Sequence, residues 1–88
     1  MMEIKGLFEE FEKAETRANM VESEWEKCPE NEDLERAFDE AYKAEFAARE
    51  ALVAEIKKIT NGQIDTPTVN AMLAKKRTEL RALVARIA

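Results

Sequence analysis

Residues 31–60 carry apolar side chains over too wide an arc for a helix with a single neighbour. Advanced by about 100° per residue, Leu34, Phe38, Ala41, Ala48, Leu52 and Ile59 fall on one line. Tyr42, Phe46, Val53 and Ile56 lie on one flank of that line, and Ala37, Ala44 and Ala51 on the other. The arc takes in about half the circumference, against about 100° for an ordinary single-face stripe. A helix of this kind is stable only if neighbours cover both flanks. One flank is aromatic and β-branched and fills space; the other is alanine and permits close approach. Glu45 and Arg49 fall inside the arc four residues apart, with the acid N-terminal, which is the favoured order for a helical ion pair.

The preceding stretch supplies one neighbour. Ile4, Leu7, Phe11, Ala14, Ala18, Val21, Trp25 and Cys28 alternate in steps of three and four, a heptad seam backed by glutamates. Cys28-Pro29-Glu30-Asn31 interrupts it. Proline disfavours helix at the residue before it and lacks an amide hydrogen. Asn31 is a good N-cap, with Glu32 and Asp33 in the first turn, where the helix dipole favours acid. So short a connection implies an antiparallel hairpin.

The second neighbour follows residue 65. Lys57 and Lys58 close the middle helix, with Gly62 as its left-handed cap, and Thr66-Pro67 opens the next. Val69, Leu73, Leu80, Leu83 and Ile87 form the third stripe, flanked by Met72 and Val84, with Lys76 on the same line. The expected fold is all-α: an elongated three-helix bundle over residues 1–88, a single helical domain made of a long antiparallel helical hairpin plus a shorter third helix. At 21 residues, about 32 Å, that helix is too short to cover the whole seam, and one end of it is expected to stay exposed. Glu45, Arg49 and Lys76 are expected to form a polar layer across the bundle, which fixes register. Cys28, at the end of the seam, is expected to be a small buried hydrophobe.

Charge divides the chain. Residues 1–65 hold 18 acidic and 9 basic side chains, a balance of −9, and residues 66–88 hold one acid against five bases, a balance of +4. The basic third helix is therefore expected to dock on the acidic pair. The net charge of −5 speaks against direct nucleic-acid binding, because phosphate contact needs clustered Lys and Arg.

Several chemistries lack their residues. Without histidine there is no common general base, no usual zinc site and no Cys–His pair. Gly6 and Gly62 are isolated, so no phosphate-cradling loop exists. No catalytic, cofactor-binding or metal-binding residue is assigned, and the chain is expected not to be an enzyme. One cysteine excludes an intramolecular disulfide, and no basic region followed by an apolar run appears at the start. No unbroken apolar run approaches the roughly 20 residues of a membrane span. A cytoplasmic location follows as an expectation.

What remains is a non-enzymatic interaction module that binds a protein partner, or another copy of itself, through helix faces. The alternative is a small acidic inhibitor, of the kind phages direct against host defence proteins, that occupies a nucleic-acid-binding groove of its target. The candidate partner-binding residues are Glu22, Glu26 and Glu32 in the acidic cluster around the hairpin turn, and Arg49 within the apolar arc.

Overall fold

The computed structural model describes residues 3–87, which form four helices and, among the described residues, no strand. They are α1 (Ile4–Lys27), α2 (Glu32–Ile59), α3 (Thr66–Lys75) and α4 (Arg77–Ile87). The envelope is elongated, 46 × 27 × 19 Å.

The hairpin forms as its sequence dictates. Cys28 leaves helical geometry ahead of Pro29 (φ −136°, ψ 65°). The Asn31 side chain accepts from the amides of Asp33 at 3.0 Å and Leu34 at 3.2 Å, which caps α2. At one end of the pair Trp25 meets Phe38 edge-on, with ring centroids 5.7 Å apart. At the other, Ile4, Phe8 and Phe11 share a core with Leu52, Val53 and Ile56, so the two helices run antiparallel.

Cys28 is exposed, not buried. The reason is the same Pro29: with the helix ended, the Cys28 side chain no longer continues the line of the seam.

The C-terminus of α2 closes in a double hydrogen-bonded cap. The Gly62 amide donates to the Lys57 carbonyl (2.8 Å) and the Asn61 amide to the Lys58 carbonyl (3.2 Å). Asn61 takes the left-handed conformation (φ 52°) as well as Gly62 (φ 80°), a role asparagine tolerates better than most residues. The N-cap of α3 is Asp65, one residue earlier than Thr66-Pro67 suggests. Its carboxylate accepts from the Thr68 amide (3.1 Å) and the Thr68 hydroxyl (2.6 Å).

The single third helix is instead two. Lys76 breaks it (φ −133°, ψ 46°) although no glycine or proline is near. Lys76 serves both pieces: its amide donates to the Met72 carbonyl and its carbonyl accepts from the Leu80 amide. The break frees the Leu73 carbonyl from the amide that would bind it in a continuous helix. The Arg77 side chain takes over, donating to it from Nε (3.1 Å) and Nη2 (2.9 Å).

The same guanidinium reaches α1. It pairs with both carboxylate oxygens of Glu15, at 2.5 and 2.8 Å, and sits 5.6 Å from the centroid of Phe11. One turn on, Arg81 pairs with Glu12 and lies over the Phe8 ring. The basic segment thus docks on acids of α1 as its charge predicts. It does so as a folded-back pair: α3 runs along α2 to the level of Glu15, and α4 returns along α1 towards Ile4. Val69, Leu73, Leu80 and Val84 complete the core. The side chain of Ile87, the last member of the expected third stripe, lies outside the described residues.

Candidate interaction surface

Folding α3 and α4 back on each other leaves the half of the hairpin nearest its turn without a third layer. In that half, among the described residues, only Ala18 and Ala41 are buried. The effect is plain along one stripe of α2. Val53 (6% exposed) and Ile56 (0%) are buried beneath α3, whereas Tyr42 (53%) and Phe46 (48%), on the same flank, face solvent. The expectation that one end of the α1 seam stays exposed is met at Cys28 alone: Val21 and Trp25 are half-buried, and the open aromatics lie on α2 instead.

A cleft of about 230 Å³ opens between the two helices here. From α1 it takes Glu15, Ala18, Asn19 and Glu22; from α2 it takes Phe38, Tyr42, Glu45 and Arg49. These positions share a face with Phe8 and Phe11 on α1 and with Ile56 on α2, so the cleft continues the groove that α3 and α4 fill. Glu15 stands at the boundary, lining the cleft while holding Arg77.

Glu22 and Arg49, two of the four residues singled out from the sequence, come together on this cleft. Glu26 and Glu32 are exposed beside the turn and do not line it. Arg49 Nε stands 3.9 Å from Glu45 Oε1, and its guanidinium lies 5.5 Å from the Phe46 ring centroid. The Glu45 side chain is mostly buried (12% exposed), so Arg49 is both its charge partner and its screen. The expected polar layer does not form: Lys76 is exposed at the α3–α4 break and pairs with neither Glu45 nor Arg49. Phe38 and Tyr42 pack with centroids 6.2 Å apart.

Periodicity assigns Tyr42 and Phe46 to the apolar arc, yet both are exposed. The available signal was that α1 offers glutamate, Glu15 and Glu22, where its earlier turns offer Phe8 and Phe11. A helix that seats on the aromatic rings of α1, as α4 does, meets acids there instead.

Electrostatically the surface is acidic. Glu22, Glu24, Glu26, Glu30, Glu32, Asp33 and Glu35 are all exposed around the turn, and none takes part in an ion pair among the described residues. Among the described residues no group of three or more His, Cys, Asp or Glu side chains is arranged to hold a metal ion, and no helix is long and apolar enough to cross a membrane. No protein-family model, curated protein or solved structure matches the chain.

Proposed function

We propose that this chain is a non-enzymatic protein-interaction module whose working surface is the uncovered half of the α1–α2 hairpin. One observation carries the reading: a single apolar stripe of α2 is buried at Val53 and Ile56 and open at Tyr42 and Phe46. Aromatic side chains on an open helix face are characteristic of contact surfaces, and tyrosine and arginine are favoured where binding energy concentrates. Its contacts to Phe46 and Glu45 support Arg49 as the anchor of this surface. The C-terminal segment packed along the other half of the hairpin then acts as scaffold.

Affinity capture from the native host tests this, with the unaltered chain compared against the double variant Tyr42→Ala, Phe46→Ala. A partner retained by the first and lost by the second, with helicity unchanged, supports the reading. Equal capture by both chains contradicts it.

A second reading has its own observation, the seven exposed and unpaired acids around the turn. On it the chain is an acidic inhibitor that mimics phosphates in a basic groove. Reversal of Glu22, Glu26 and Glu32 to lysine then abolishes binding, and affinity falls steeply with salt. Binding that ignores both changes rules this reading out.

A further inference from the structure

The inference drawn here rests on the preceding reading and identifies the kind of partner that surface takes. The chain carries an example of its own recognition chemistry. Where the groove is filled, arginines four residues apart on α4 lie over aromatic rings of α1 and pair with acids one turn further along: Arg81 over Phe8 with Glu12, Arg77 over Phe11 with Glu15. Between them Leu80 is fully buried, and Val84 follows one turn after it. The docked unit is a basic amphipathic helix that uses arginine at its margins and leucine or valine at its centre.

Beyond Glu15 the groove continues as the cleft between α1 and α2, with its acids on both helices and its rings now on α2. Ala18 lines it as a small residue, Phe38 and Tyr42 give rings, and Glu22 is exposed and takes part in no ion pair among the described residues. We propose that this half of the groove binds a basic, arginine-bearing amphipathic helix of a partner protein, seated as a continuation of the groove that α3 and α4 fill.

Two arguments select this occupant. The open groove is continuous with an interface already built for such a helix. The surrounding surface is also acidic, so a cationic segment is complementary and an acidic one is repelled. The same charge opposes two of these halves meeting face to face, which disfavours a symmetric pair of copies.

Trp25 makes the test direct. It is the only tryptophan and lies against Phe38 in the uncovered half. The probe is a synthetic helix of about 14 residues, roughly 21 Å long, free of aromatic residues, with leucine on one face and arginines four apart beside it. A control peptide carries glutamate in place of each arginine. Binding is read from Trp25 emission and from anisotropy of a labelled peptide, at low and high salt, with sedimentation run on the chain alone.

The expected result is saturable binding of the arginine peptide at least about tenfold tighter than of the glutamate peptide, weakening as salt rises. Tyr42→Ala and, independently, Glu22→Lys each reduce it, while circular dichroism stays unchanged. Equal binding of both peptides overturns the inference and leaves an apolar docking surface. Binding of neither overturns it too; capture that still depends on Tyr42 and Phe46 then preserves the broader reading, and capture that does not removes both. Self-association of the chain alone that Tyr42→Ala abolishes makes a second copy the occupant and overturns the inference.

Discussion

Arg77 meets three demands with one planar group. It satisfies the Leu73 carbonyl released by the helix break, it holds Glu15 through two oxygens, and it covers the Phe11 ring. The side chains of Arg77 and Glu15 are about two-thirds buried, so this pair loses less to solvent than a surface ion pair does. Glu15 also holds the guanidinium above its already high ordinary value, so the cation persists through the alkaline range. Arg77→Met therefore leaves a carbonyl and a carboxylate unpaired and destabilises the fold by about 1–3 kcal/mol. Arg77→Lys does not restore the loss, because an ammonium cannot form the fork. Chemical denaturation of both variants checks this, and a Lys variant as stable as the native chain contradicts it. Asp65 gives a prediction in acid. Its hydrogen bonds from the Thr68 hydroxyl and amide hold its carboxyl below the ordinary 3.8. With the folded value depressed, its contribution is complete above that ordinary value and is lost as pH falls through the lower folded one. Asp65→Asn keeps an N-cap but removes the titration. The stability difference between the two chains is expected to be constant above pH 4 to 5, roughly, and to change only below about pH 3.8.

Among the elements, the sequence made α1 and α2 legible almost to their ends. Pro29 and Asn31 mark one turn and Lys57, Lys58 and Gly62 the other, and each signal acts within a few residues of itself. Two features escaped because their causes are distant in sequence. The break at Lys76 has no local signal: Lys-Lys-Arg-Thr is compatible with continuous helix, and the bend is held by contacts to Glu15, Phe11 and the Leu73 carbonyl. The exposure of Tyr42 and Phe46 follows from that break. Periodicity assigns a side chain to a face but cannot say whether a neighbour reaches it. In the candidate site, Glu22 and Arg49 were found from charge and position, whereas the cleft they share depends on where α3 stops. The two halves of the apolar surface are therefore expected to respond differently to truncation. Leu80→Ala, in the fully buried centre, costs about 2–5 kcal/mol. Tyr42→Ala and Phe46→Ala each cost less than about 1 kcal/mol, as surface changes do. Thermal or urea unfolding separates them, and a large loss at Tyr42 would make that stripe core rather than working surface.

Across the whole molecule, the acidic hairpin and the basic segment divide the labour. The C-terminal helices take up Glu12 and Glu15 in the middle of α1, and by turning back at Lys76 they leave Tyr42, Phe46 and the acids around the hairpin turn free. The open surface depends on this fold-back, since a straight segment would lie over Tyr42 and Phe46 and close it. Cys28, exposed at the turn and the only cysteine, supplies one spectroscopic label site, and Arg86→Cys supplies a second near the end of α4. With α4 returning towards Ile4, the labels stand about 30–40 Å apart, close to the length of α1. A continuous helix over residues 66–86 would instead reach about 32 Å along α2 and bring them within about 10–15 Å. Pulsed electron spin resonance on the doubly labelled chain distinguishes the two: a single long distance agrees with the fold-back, and a dominant short one contradicts it.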